Sequence, residues 1–276
     1  MPELAEVETV LRTLEKQCGH PTILDVKATY EPIIDNLDFA EFKQQIVQET
    51  IVDYQRLGKY LIFILKEHVW IVHLRMEGKF YLLNPDVPLD KHTHIVFTLD
   101  NQKELRYHDT RKFGRMYLYP KQENIQDYPC FKHVGYDLFD ERLDAAYLYQ
   151  RAKHHTYTLK QFLLDQNNLA GIGNIYADEI CFACRLHPCT KVNRLSKKDC
   201  AYLLENARRI LSDAILAGGT TIHSFKSSYE VDGRFQLQLK VHARKGESCP
   251  LCGTIIEKKQ VAGRGTYFCR NCQKRK

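Results

Sequence analysis

No window of about 18 consecutive apolar residues occurs in the chain, so a membrane-spanning helix is not expected. The opening also lacks the basic start and apolar stretch of an export signal, and its first twenty residues carry Glu3, Glu6, Glu8 and Glu15. Without export, the ten cysteines read as thiols and metal ligands rather than disulfides, and the expected compartment is the cytoplasm. Internal repeats and low-complexity tracts are missing. Acid is missing from the tail: from Lys258 onward there are Lys258, Lys259, Arg264, Arg270, Lys274, Arg275 and Lys276, and no Asp or Glu. Together with a formal net charge of +6 and a pI near 8.7, that asymmetry points to a polyanionic partner.

What is present is enough apolar residue, 44%, to build packed cores over a length that suits roughly two domains. Leu4, Val7, Val10, Leu11 and Leu14 recur at helical spacing, and Pro2 suits the first position of that helix. From Thr22 to Tyr119 the pattern is strand-like. Runs at 61–65, 69–74, 80–83, 94–99, 104–107 and 115–119 are separated by turn residues, as in an antiparallel sandwich. One amphipathic stretch, 38–47, reads as a helix. Beyond an irregular segment around 121–140, helices are expected over 141–152, 159–166, 174–183 and 197–217, and then a hairpin. The expected class is α+β. Its parts are a helix and β-sandwich over 1–135, a linker over 136–146, a helical region over 147–235 and a metal hairpin over 236–276.

Cys249-x2-Cys252 and Cys269-x2-Cys272 have the spacing of a four-thiolate zinc site. Four protein ligands leave no open position, so this zinc is structural, and it supplies folding energy to a unit too small for its own core. Cys181-x2-Cys184, near His187 and Cys189, sits on one helix face, where free cysteines pack as small hydrophobes, so a second metal is not expected. Between the zinc knuckles, Arg264 lies between two glycines that admit a close ligand. The same residues equally describe a hairpin turn with an exposed arginine. In Gly171-Ile172-Gly173-Asn174 the glycines permit a tight turn, and Asn174 suits the cap of a helix whose first amides fit a phosphate. A packing device is the equal alternative. At the N-terminus, removal of Met1 would expose the secondary amine of Pro2. An α-amino pKa near ~8 leaves a useful fraction unprotonated. Attack on a sugar's anomeric carbon would give an iminium, with Glu3 beside it to move protons.

These pieces occur together in one family. MPELAEVET resembles the opening of the formamidopyrimidine-DNA glycosylases, usually PELPEVET. The resemblance continues through Gly58-Lys59-Tyr60, His73–Gly78, Arg106–Gly114, GIGNIYADE, Gly218-Gly219-Thr220-Thr221 and the zinc hairpin. It implies a zinc-containing, monomeric, bifunctional glycosylase and abasic-site lyase that removes 8-oxoguanine and formamidopyrimidines from double-stranded DNA, held between the domains, by β,δ-elimination. It also implies a nucleoid-associated bacterial protein with a helix–two-turn–helix region. Pro2 would be the nucleophile, Glu3 the general acid/base, and Lys59 and Arg264 further members of the catalytic set. Glu6, His94, Lys160, Asn174 and Tyr176 would serve on the DNA side. Met76, Arg111 and Phe113 would fill the gap left by a flipped nucleotide, with Arg111 facing the orphaned base. That trio separates the chain from endonuclease VIII, the oxidised-pyrimidine relative. Ala5, His108 and Thr110 depart from the family's usual Pro, Asn and Pro, and Gly135-Tyr136-Asp137 from its Gly-Pro-Glu. The changes at 108 and 110 bear on the rigidity of the loop carrying Arg111. Residues 226–234 would correspond to a loop that caps the lesion.

Overall fold

Helix α1 (Leu4–Cys18) buries Leu4, Val7, Val10, Leu11 and Leu14 on one face, as the spacing requires. Its start differs from the expected one. The Glu3 N–H donates to Glu6 Oε2 at 3.0 Å, and the Glu3 side chain accepts from the N–H of Glu6. This reciprocal capping box makes Glu3 the N-cap, in extended conformation, and leaves Pro2 outside the helix. Gly19, at φ 64°, ends it.

The computed structural model describes residues 1–220 and 234–276, which fall into two units; the expected lesion-capping segment lies almost wholly outside the described residues. Unit 1 comprises Met1–Lys132 with residues 218–220. It contains two four-stranded antiparallel sheets. One has the order β1 (Ile23–Ala28), β6 (Thr93–Leu99), β7 (Glu104–His108), β5 (Lys79–Leu83). The other runs β2 (Ile51–Leu57), β3 (Tyr60–Leu65), β4 (His68–His73), β8 (Arg115–Pro120). Strands β1 and β2 were not separately legible in the apolar runs. Helix α2 (Phe39–Ile46) packs on β1, and α1 packs on β2 and β3. Strand β3 is therefore covered on both faces and reads as the unbroken run Leu61–Leu65, whereas β5 alternates. The sheets are joined by rings: Phe63 stacks on Trp70 at 4.4 Å, and Trp70 meets Phe97 of the opposite sheet at 4.5 Å.

Unit 2 comprises His133–Ala217 with Arg234–Lys276. Its helices are α3 (Ala145–Lys153), α4 (Leu159–Leu164), α5 (Asn174–Ala183) and α6 (Lys197–Leu216), followed by the hairpin β9 (Glu257–Val261) and β10 (Arg264–Phe268). The first begins later than the spacing suggested because Asp144 caps it, accepting from the N–H of Tyr147. Helix α6 packs on α3 and α5, and α5 also packs on β10. Among the described residues, no helix is long and apolar enough to cross a membrane.

The chain's single tryptophan lies in unit 1, so its fluorescence reports on that unit alone. Phe63→Ala is expected to lower the stability read by Trp70 fluorescence in urea by about 3–5 kcal/mol.

Candidate active site

The capping box fixes the N-terminal segment from one side, and a second set of contacts fixes it from the other. Glu6 Oε1 accepts from the N–H and hydroxyl of Thr220 at 2.9 and 3.0 Å, while Oε2 holds Glu3. Glu3 and Glu6 are 3% and 7% exposed. Gly219 makes the approach possible: at φ 77°, a Cβ there would lie 3.0 Å from Glu6 Oε1. The resemblance put Glu6 on the DNA side. In the fold both of its oxygens bracket the segment that carries Pro2 and Glu3.

Lys59 follows Gly58 (φ 57°) at the tip of the β2–β3 hairpin and is largely buried. Its neighbour Tyr60 pairs with His73 in register, ring against ring at 4.5 Å. Sequence reasoning gave His73 no role, because the pairing of β3 with β4 that sets it beside Tyr60 is not visible in a linear motif. Burial, then the positive charges of Arg75 and Lys59, push its pKa down to about 3. Its Nδ1 accepts from the Arg75 N–H at 3.0 Å, so the neutral ring carries its proton on Nε2. The corner thus combines a lysine with a neutral donor, an arrangement suited to an anionic oxygen.

Met76 is half-buried in the turn after β4, and Arg111 and Phe113 are exposed between β7 and β8, with the guanidinium 4.6 Å over the phenyl ring. Each apolar member follows a non-glycine residue in left-handed conformation, Arg75 at φ 55° and Lys112 at φ 58°. Such backbone strain, about 1–3 kcal/mol each, concentrates where side chains are presented for function. His94 does not face outward with them. It is 3% exposed, and its Nε2 lies 2.8 Å from the Asp109 carbonyl, beneath the Arg111 loop.

In unit 2, Gly173 rather than Asn174 is the N-cap of α5. The Asn174 side chain is thereby released to donate to the Gly265 carbonyl at 3.1 Å, which brings Asn174 beside Arg264. Arg264 is exposed at the start of β10, after a two-residue turn in which Ala262 and Gly263 both have positive φ. Lys160 and Tyr176, expected on the DNA side, are each 0% exposed. Lys160 Nζ pairs with Asp178 Oδ1 and donates to the Asn174 carbonyl, so it supports Asn174 from behind. Asp178 Oδ2 lies 2.8 Å from His242 Nδ1, and Glu179 accepts the N–H groups of Lys240, Val241 and His242. The acidic end of GIGNIYADE therefore anchors the segment leading into the hairpin.

Cys249, Cys252, Cys269 and Cys272 bring all four Sγ atoms within 4.8 Å of one another, with pairs at 3.8 and 3.5 Å. A tetrahedral zinc with bonds of about 2.3 Å requires sulfur separations of about 3.8 Å, so the four residues fit it. Cys181 and Cys184 lie buried at the end of α5.

His73 is neutral in the fold, yet an unfolded histidine binds a proton near ~6.5. Its contribution to stability is complete above that pH and is lost as pH falls toward 3. Between pH 6.5 and 5 the chain is expected to lose about 2 kcal/mol more than its His73→Gln variant, by urea denaturation at the two pH values. Cys269→Ser is expected to abolish zinc retention in native mass spectrometry and weaken DNA binding, while the Trp70-reported transition of unit 1 stays in place.

Three family models match in chain order: the Formamidopyrimidine-DNA glycosylase N-terminal domain over residues 1–116, the Formamidopyrimidine-DNA glycosylase H2TH domain over 134–226, and a zinc finger found in FPG and IleRS over 246–275. Formamidopyrimidine-DNA glycosylase of Bacillus anthracis is 43% identical over 276 residues, covering 100% of both chains. That of Bacillus subtilis (strain 168) is 42% identical over 277 residues, again covering 100% of both. The Lactococcus lactis Fpg bound to DNA containing an abasic site superposes with a TM-score of 0.90 at 37% identity, over 99% of this chain and 100% of that one. The same figures hold for the Lactococcus lactis Fpg bound to DNA containing N7-benzyl-Fapy-dG. With its domains matched in order and its full length aligned, the chain belongs to the formamidopyrimidine-DNA glycosylase family.

Proposed function

We propose that the chain excises oxidised purines, 8-oxoguanine and formamidopyrimidines, from double-stranded DNA and then cleaves the strand at the abasic site. The observation that carries the reading is the position of Pro2. It lies immediately before a buried glutamate N-cap, outside the helix, in a segment clamped through Glu6. Removal of Met1 turns the Pro2 nitrogen into a secondary amine. Its lone pair attacks C1′ of the damaged nucleotide, the bond from C1′ to the base breaks, and the base leaves as an anion that takes a proton from water. The amine proton passes to Glu3. Glu3 returns that proton to O4′ as the C1′–O4′ bond breaks, and the opened sugar is the iminium of Pro2 and C1′. This cation acidifies the C2′ hydrogen, and successive eliminations expel the 3′ and 5′ phosphates. Lys59, with neutral His73 beside it, stabilises negative charge at the flipped nucleotide, and Asn174 with Arg264 grips flanking phosphate. Met76, Arg111 and Phe113 occupy the vacated stack. Zinc, held by the four cysteines, fixes the fold of the hairpin that presents Arg264. The named activity of the relatives and the lesion DNA bound by the Lactococcus protein support this reading. The enzyme acts as a monomer, in the cytoplasm, on the nucleoid.

Borohydride trapping tests it on a duplex with one 8-oxoguanine opposite cytosine, beside an identical thymine-glycol duplex. The expected result is an adduct mainly with 8-oxoguanine, mapped to Pro2 and absent when an N-terminal tag is retained. An adduct mainly with thymine glycol would move the activity to oxidised pyrimidines. Binding without any adduct would make the chain a damage-binding protein.

A further inference from the structure

Two loops of unit 1 carry the side chains assigned to the vacated base stack. Residues 74–78 carry Met76, and residues 109–114 carry Arg111 and Phe113. The second loop is wound around one carboxylate. Asp109 is 0% exposed. Its Oδ1 accepts from the Arg111 N–H at 2.9 Å, and its Oδ2 from the N–H groups of Phe113 and Gly114 at 3.0 and 2.9 Å. The Tyr107 hydroxyl, also buried, donates to the same Oδ2 at 3.4 Å. That hydroxyl lies against both loops at once. A Cβ on Gly114 would come within 1.7 Å of the Tyr107 oxygen, and a Cβ on Gly78, the last residue of the Met76 loop, within 2.3 Å. Only glycine admits the hydroxyl at either place.

We propose that Tyr107 and Asp109 are positioning residues that fasten the Met76 loop to the Arg111–Phe113 loop, so that the three side chains enter DNA as one preset unit. The inference rests on the roles given to those three side chains under the proposed function. Asp109 spaces Arg111 from Phe113 within one loop, and the Tyr107 hydroxyl sets that loop against the other. Thr110 lacks the ring constraint of the family's usual proline, and here the carboxylate does the stiffening. His94 and the His92 carbonyl hold Asp109's own backbone at 2.8 and 3.0 Å.

The test uses full-length, zinc-loaded protein and the variants Tyr107→Phe and Asp109→Asn. Tyr107→Phe keeps the ring packed on Phe80 and removes only the hydroxyl. Asp109→Asn turns a donor toward the loop's amides. Excision of 8-oxoguanine is measured opposite cytosine and opposite adenine. Borohydride trapping on a single-stranded abasic oligonucleotide, which has no stack to fill, serves as the control. Misplacement of the loop by about 1 Å is expected to cost Asp109→Asn about 100-fold in duplex excision and to erase the preference for cytosine. Single-strand trapping is expected to stay at the wild-type level. In the otherwise wild-type chain, the losses from Met76→Ala and Phe113→Ala are expected to be coupled, and in the Tyr107→Phe background to multiply independently. Unchanged coupling in Tyr107→Phe would overturn the proposal even if Asp109→Asn fails to fold. Arg111→Ala is run alongside. If it leaves the cytosine preference intact, the role given to Arg111 fails, and the coupling measurement still decides whether the loops are fastened.

Discussion

A buried carboxylate that accepts backbone N–H groups recurs at three segments of this chain. Glu6 takes the amides of Glu3 and Thr220, Asp109 those of Arg111, Phe113 and Gly114, and Glu179 those of residues 240–242. An ionised carboxylate cannot be buried cheaply without donors, and loop amides cannot be buried cheaply without acceptors. Each needs the other: at Glu179 burial pushes the pKa up, and the three amides pull it back down. The segment bearing Pro2, the loop bearing Arg111 and Phe113, and the lead-in to the zinc hairpin therefore gain a fixed shape without regular secondary structure. In unit 1 the aromatic sandwich core supplies the frame for the segments held by Glu6 and Asp109, and in unit 2 Glu179 ties residues 240–242 to α5.

The cationic groups divide into two kinds by burial. Arg111 and Arg264 are exposed and available to a polyanion. Lys160, equally basic in the sequence, is sealed against Asp178 and the Asn174 carbonyl, so its charge acts only through the position of Asn174. His73 carries the same logic further. Packed beside Tyr60 and near Lys59 and Arg75, it gives up its charge and keeps a donor. The result at that corner is a donor that stays uncharged near neutral pH.

Much of this was legible in the linear chain. Helical spacing set the buried face of α1, and two C-x2-C pairs set the zinc ligands. These are local signals: three to four residues of periodicity and a two-residue knuckle. The start of α1 was misread by two residues because a proline at the first helical position and a Glu-x-x-Glu box compete, and the box satisfies two buried amides at once. The same kind of competition moved the cap of α5 from Asn174 to Gly173.

The sequence by itself determined the element types over most of the chain, the metal ligands and the candidates for chemistry, because each of these depends on residues close together in the chain. Only the tertiary structure decided which basic residues face outward, that His73 lies near Lys59, and that the Tyr107 hydroxyl lies against two loops at once. Those facts depend on strand register and on which face of a helix is covered, and both are set by burial summed over a whole unit.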